Sequence, residues 1–275
     1  MQVYRLRFVA CLFVLFAAAA IAGQKIETST SDRAAVPYIG ERLVYKIEWD
    51  PPWYFFFLPT LDAGEAVVEL VGEVDYNNRK ALRIQFRAHS SGAMVKMSGL
   101  KIEDEYTFLA DPETFCTLSA SETIREGKRK RQIDVQYLRE TRQLHIREVD
   151  EAAAPTRVKK DETRSDIPEC VHDPLSALYL FRQTTLRENF SSTFVLANDD
   201  KIREVRSVVE KQEIIQTSSG KAAVWRINTA ALMGGLFKEG GQFKIWLSED
   251  AKKVPIQFEV KVRLGRIFGK LKTSQ

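Results

Sequence analysis

The chain has 275 residues, 44% hydrophobic, 10% aromatic and 28% charged, which excludes a disordered polymer and leaves ample material for a core. Its net charge of +4 falls to about +2 once Arg5 and Arg7 are set aside. So weak a balance gives no argument for a nucleic-acid partner.

The first expected element is a signal peptide over residues 1–22. Arg5 and Arg7 form a basic start, residues 8–20 are an uncharged apolar run, and Ala20-Ile21-Ala22 offers small residues to a signal peptidase. Cleavage is expected before Gly23 or Gln24, with export to the periplasm. The alternative is an uncleaved anchor, but the run is shorter than the roughly 20 residues of a membrane span. Cys11 lies at the start of the run rather than its end, which argues against lipidation. No transmembrane span is expected in the mature chain. Residues 23–39 are small and polar, a flexible leader.

From Gly40 the sequence alternates with period two, the mark of half-buried strands. Leu43, Tyr45, Ile47 and Trp49 face one way, with Arg42, Lys46 and Glu48 opposite. The pattern returns at Leu82, Ile84 and Phe86, at Ile133, Val135 and Tyr137, and from Ile256 to Leu264. Turn residues at Asn77-Asn78, Gly127-Lys128, Ser218-Ser219-Gly220 and Ser248-Glu249-Asp250 separate the strands at short intervals. The fold class is therefore mainly β, an antiparallel curved sheet forming a barrel or half-barrel. Residues 40–272 read as one β-rich domain of two halves joined around 150–182. Within that junction, residues 150–168 are charged and lack alternation, which reads as a loop. A short helix follows near 173–182, with Asp173 as N-cap, Pro174 at its first position, and Leu175, Leu178 and Phe181 on one side.

Several residues stand out against this background. Trp53-Tyr54-Phe55-Phe56-Phe57-Leu58, between Pro51-Pro52 and Pro59, is the largest apolar cluster of the mature chain. It either caps the core, lines the lip of a lipid-sized pocket, or docks on a membrane or partner. Asp104 falls on the apolar face with Ile102, Tyr106 and Phe108, where an unpaired charge is costly. Extended backward, the inward face of the Ile133 strand puts Arg131 and Arg129 on the core side, and one of them is the expected partner of Asp104. The pair is read as structural or as a polar anchor in a ligand site. Lys128 to Arg131 reads as a solvated hairpin, with anionic headgroups or polysaccharide as the alternative. Trp246 shares its strand face with Lys244 and is either a satisfied amphipathic residue or a ligand contact. Cys116 and Cys170 form an even pair, which permits one disulfide in an oxidising compartment or two buried thiols. His89, His145 and His172 are scattered, so neither a metal nor a cofactor is expected. No nucleophile elbow, phosphate-binding glycine loop or dinucleotide fingerprint is present.

Short segments along the chain are similar to the landmarks of one family. Gly40-Glu41-Arg42-Leu43-Val44-Tyr45, Ala63-Gly64-Glu65-Ala66, Asp104-Glu105-Tyr106, Asp173 to Tyr179, and Ile245 to Asp250 followed by Pro255 resemble the DUF3108 family of exported bacterial proteins of unknown function. The resemblance runs from about Gly40 to Leu271 and implies export and a β-rich fold, but no activity. The closing hairpin also looks loosely like those of periplasmic lipoprotein-carrier half-barrels, an analogy of fold only. The leading expectation is a non-catalytic periplasmic protein that binds an apolar or lipid-like ligand through Trp53, Tyr54, Phe56, Asp104, Tyr106, Arg131 and Trp246. The alternative is a structural or assembly protein that docks an envelope partner through its aromatic surface. The third reading, an envelope-polymer hydrolase, needs two carboxylates placed across a substrate.

Overall fold

The computed structural model describes residues 38–55, 57–99, 101–198, 201–230, 242–262 and 265–274. The expected signal peptide and all of the leader but residues 38 and 39 lie outside these residues, as does Phe56. The strands are β1 (Arg42–Asp50), β2 (Leu61–Tyr76), β3 (Arg79–Ser90), β4 (Glu103–Ala110), β5 (Thr117–Glu126), β6 (Arg129–Leu138), β7 (Gln143–Asp150), β8 (Arg157–Arg164), β9 (Ser191–Asn198), β10 (Lys201–Thr217), β11 (Gly220–Ala230), β12 (Gln242–Ser248), β13 (Pro255–Val262) and β14 (Gly265–Ser274). Two helices, α1 (Gly92–Ser98) and α2 (Pro174–Arg182), interrupt the series.

All fourteen strands belong to one antiparallel sheet in the order β8-β7-β6-β5-β4-β3-β2-β1-β14-β13-β12-β11-β10-β9. Two meanders, β1 to β8 and β9 to β14, are thus fused where β1 pairs with β14. The sheet curls around two core clusters and is not closed, because β8 and β9 remain its edges. The hairpins follow from their turn chemistry. At Asn77 and Asn78 both φ values are positive (47° and 61°), the twist a two-residue hairpin needs and asparagine tolerates. Gly64 is required for another reason: a Cβ there would lie 2.1 Å from the carbonyl oxygen of His89 on β3.

Residues 150–168 differ from the expected loop, since they contain β8. All but one of its residues are exposed, so no buried face imposes an alternation that periodicity could detect. Its charged side chains are a usual protection for a sheet edge. Helix α1 was also invisible to periodicity, being seven residues long with Met94 as its one buried side chain.

Helix α2 fills the concave side at the end where β4 leads into β5. Asp173 caps it by accepting from the backbone N–H of Leu175 (2.8 Å) and Ser176 (2.9 Å), and Thr117 at the start of β5 donates its hydroxyl to the same carboxylate (3.0 Å). Leu175 and Tyr179 join the large core cluster formed by β1–β7 and β13–β14, while Ala177 and Phe181 join a second cluster against β9–β12. Arg182 at its last turn is 0% exposed. Its guanidinium donates to both oxygens of Glu41 (2.6 and 2.7 Å) and to the Lys252 carbonyl (3.0 Å), and sits 4.0 Å from the Tyr38 ring centre. The helix thereby ties the start of β1 to the β12–β13 connection.

Candidate functional site

The opposite end of the half-barrel is built differently. Pro51 and Pro52 cannot continue the ladder of β1, and the chain turns through one 3-10 turn, Trp53–Phe55, before β2 begins. Two backbone bonds hold the loop, Phe55 N–H to Pro52 O and Leu58 N–H to Phe55 O (both 2.8 Å). Leu58 packs on the core. The remaining aromatics cluster with one another, Trp53 edge-on to Tyr54 (5.8 Å) and Phe55 edge-on to Phe57 (6.1 Å). Trp53 is 86% exposed and Phe57 67%, with Tyr54 exposed as well, so the segment does not cap the core.

Two neighbours extend this rim. Helix α1 rises beside the loop with Gly92 against Asp62 at the start of β2, and it exposes Met97 and Lys96. The β5–β6 hairpin abuts the residues after α1 through the Gly127 N–H bond to Lys101 O (2.8 Å). In that hairpin Arg129 pairs with Glu126, and nearby Lys101 pairs with Glu103 (both 2.6 Å). Lys96, Lys128 and Lys130 are exposed and form no ion pair among the described residues.

Below the rim, the inner wall of β4–β7 carries polar groups where a core is expected. Tyr106, Glu122, Ile133 and Glu148 lie opposite one another on successive strands, and Asp104 and Arg131 sit two residues closer to the rim on β4 and β6. Asp104 is 3% exposed. Its Oδ1 accepts the Arg125 backbone N–H (2.8 Å), while its Oδ2 has no hydrogen-bond partner. Burial pushes the carboxyl up to about 7, opposed by the Arg125 amide and aided by the nearby Glu126 carboxylate. The expected Asp104–arginine ion pair is absent: Arg131 instead donates to Glu148 (2.6 Å), and Arg129 to Glu126. The Nε of Arg131 is also buried without a hydrogen-bond partner.

The structure thus places Asp104, Tyr106 and Arg131 on one wall, and Trp53 and Tyr54 on the loop between β1 and β2. Trp246 does not join them. It is buried on the sheet face opposite Ile245 and Leu247, where its indole N–H donates to Glu213 (2.7 Å), beside Arg226 and Glu210. Periodicity missed Glu122 and Glu148, since on their strands they replace apolar residues without any motif to mark them. A small cavity of about 20 Å³ beside α2, lined by Leu43, Tyr45, Leu175, Tyr179, Phe243 and Phe258, has room for one water and not for an acyl chain.

Cys116 and Cys170 are disulfide-bonded, with Cα atoms 5.2 Å apart, and close a 54-residue separation at the α2 end. In the chain-entropy model a loop of that length contributes about 4 kcal/mol. His172 lies beside the bond, buried, with burial holding its imidazole below the usual histidine range. His145 faces Asp161 on the outer surface (2.9 Å), and His89 is exposed.

Residues 44–272, from β1 into β14, match the family described as protein of unknown function (DUF3108). The chain belongs to the DUF3108 family. The landmarks of that family found in the sequence fall at structural junctions here: the Gly64 close approach in β2, the Asp173 cap of α2, and the β12–β13 hairpin. No curated protein matches the chain. Its fold is similar to the crystal structure of a beta-barrel-like protein of domain of unknown function DUF1849 from Brucella abortus, with 14% sequence identity over 88% of this chain and 99% of that one and a TM-score of 0.59. At that identity the likeness speaks for the fold alone. Among the described residues no helix is long and apolar enough to cross a membrane.

Proposed function

We propose that this DUF3108 protein is exported and acts without catalysis as a peripheral docking protein, its aromatic rim resting in the headgroup layer of an anionic bilayer. The single observation that carries the reading is the exposure of Trp53 and Phe57 on the loop between β1 and β2. Each such side chain left in water forgoes about 1.5–3 kcal/mol of burial, a cost that makes sense where a second surface covers it. Tryptophan and tyrosine suit the bilayer interface, because one part of the ring system is apolar and the other donates a hydrogen bond. The charge around the loop fits as well. Lys96, Lys128 and Lys130 are free to meet lipid phosphates, at about 1 kcal/mol each near an anionic surface. A protein interface of ordinary size needs a broad complementary face, whereas a narrow aromatic knob fits a soft layer. Export rests on Arg5, Arg7, residues 8–20 and Ala20-Ile21-Ala22.

The test is sedimentation of the purified mature protein with vesicles. Mixed phosphatidylcholine–phosphatidylglycerol vesicles are expected to carry it down, pure phosphatidylcholine much less, and added salt is expected to release it. Equal partition to both vesicle types would remove the electrostatic part of the reading, and no partition to either would defeat it. The mass of protein recovered from a periplasm tests export, which predicts loss of residues 1–22 or 1–23.

A second reading has its own observation. The unpartnered Oδ2 of Asp104 and Nε of Arg131 on the inner wall are an acceptor or donor pair placed to orient an internal apolar guest. Native mass spectrometry of gently purified protein with lipid extraction tests it. A stoichiometric apolar adduct lost in Asp104→Asn supports an internal site, and protein that stays bare after incubation with envelope lipids rejects it.

A further inference from the structure

Among the described residues, one place gathers three ligand atoms of the kinds that hold metals. Cys116 Sγ, Cys170 Sγ and a ring nitrogen of His172 all lie within 4.8 Å of one another. The fold brings them together at the α2 end, where Cys116 precedes β5 and residues 170–172 lead into the helix. Both backbone segments are pinned. Thr117 N–H donates to Val171 O (2.7 Å), His172 N–H donates to Val195 O (2.8 Å), and Ala197 N–H donates to His172 O (2.8 Å).

The orientation of the imidazole is also fixed. Its Nδ1 is 2.9 Å from the Phe115 carbonyl oxygen. A carbonyl only accepts, so Nδ1 carries the proton and Nε2 presents its lone pair. That lone pair faces Cys170 Sγ at 3.5 Å. A metal-bound histidine is held in the same manner, with its distal N–H given to a backbone carbonyl. The Phe194 ring stands edge-on to the imidazole at 6.0 Å and closes one side. Phe115 and Cys116 are themselves buried.

The geometry points to a redox-gated metal site: with the Cys116–Cys170 bond opened, we infer that the two thiolates and His172 Nε2 bind one zinc(II) ion, leaving a fourth position for water. In a tetrahedral site with metal–sulfur bonds of about 2.3 Å and a metal–nitrogen bond of about 2.0–2.1 Å, a sulfur and a nitrogen ligand stand about 3.5 Å apart. The His172–Cys170 distance already has this value. The two sulfurs need only separate, and their Cα atoms at 5.2 Å allow this by side-chain rotation. The chemistry balances. A dithiol reductant gives two electrons and two protons to the disulfide and becomes a disulfide itself, yielding two thiols here. Zinc then displaces both thiol protons to solvent, so the site carries two thiolates and a neutral imidazole. A disulfide oxidant takes the two electrons back and becomes a dithiol, the Cys116–Cys170 bond re-forms, and the zinc(II) ion, left without its thiolates, is released. The site stands independently of the docking reading, at the other end of the molecule.

Cobalt(II) serves as the spectroscopic probe for zinc. Protein reduced with a phosphine, then freed of it, is titrated with cobalt(II) under argon. The expected result is one equivalent bound, with thiolate-to-cobalt charge transfer, tetrahedral ligand-field bands, and displacement by zinc(II). Oxidised protein should give none of these signals. His172→Ala should lower the affinity at least tenfold and change the ligand-field bands, while Cys116→Ser with Cys170→Ser should abolish the charge transfer and retain His172. Circular dichroism follows folding in parallel, so a variant that unfolds is recognised. Reduced protein that takes up no cobalt, folded or not, overturns the inference. So does uptake with the same spectrum in the oxidised protein or in a folded His172→Ala variant.

Discussion

The two ends of the half-barrel obey opposite rules. At the α2 end charged groups are buried and satisfied: Arg182 has Glu41 and a carbonyl, and Asp173 has two backbone amides and the Thr117 hydroxyl. At the rim end large apolar groups are exposed, and beneath them lie the buried Asp104, with its Oδ2 unpartnered, and the half-buried Arg131, with its Nε buried and unpartnered. The first arrangement is what stability selects, since a buried charge is tolerated only with its full set of partners. The second sacrifices stability in two ways at once, by exposed rings and by an uncompensated carboxyl. Sites that break local rules in this manner are where function is to be sought.

The contrast can be broken by substitution at either end. Arg182→Ala should have the largest effect, because it empties a fully buried position and leaves the half-buried Glu41 without its cation. A loss of about 3–5 kcal/mol is expected in urea unfolding. A loss below about 1 kcal/mol would show that water enters this end freely.

Asp104 gives the next effect, and one with a pH signature. Its folded-state value near 7 lies above the ordinary value of 3.8, so the folded protein holds a proton that the unfolded chain has released. The contribution is full below about pH 4 and is lost as pH rises through about 7, a difference of up to about 4 kcal/mol. Asp104→Asn, which carries no charge at any pH, should flatten this slope and be the more stable protein at pH 8. Parallel stability profiles for the two proteins would contradict the assignment.

Rim side chains should sharpen the comparison by doing almost nothing to folding. Trp53→Ala with Phe57→Ala is expected to shift the unfolding free energy by less than about 0.5 kcal/mol while abolishing vesicle sedimentation. Smallest of all is Lys101→Ala. It removes an ion pair exposed on both sides, so the thermal denaturation midpoint should not move measurably.

Much of the fold was legible in the sequence because half-buried strands write their geometry as alternation. Leu43 to Trp49 and Ile133 to Tyr137 line the core as their spacing requires, and Asp173-Pro174 starts α2. What was illegible lacked a buried face or depended on distant partners. Edge strand β8 has polar residues on both sides. Arg182 looks like an ordinary last-turn cation of a helix, and nothing local shows that Glu41, 141 residues away, will meet it. The site divides in the same way. Asp104 was marked by its own misfit, whereas its partner could not be read: a bridge to Glu148 on β7 removed Arg131 from it. Trp246 shows the converse, a conspicuous residue whose indole is satisfied by Glu213 on the outer face.

The most direct test of the docking account uses the tryptophans themselves. Trp49 and Trp246 are buried and Trp225 is half-buried, so Trp53 is the one that a bilayer can reach at the rim. Phosphatidylglycerol-containing vesicles with bromine on the acyl chains should quench part of the intrinsic fluorescence of the protein, and Trp53→Phe should lose that quenched part. Fluorescence untouched by brominated vesicles, or quenched equally in Trp53→Phe, would contradict a bilayer-seated rim.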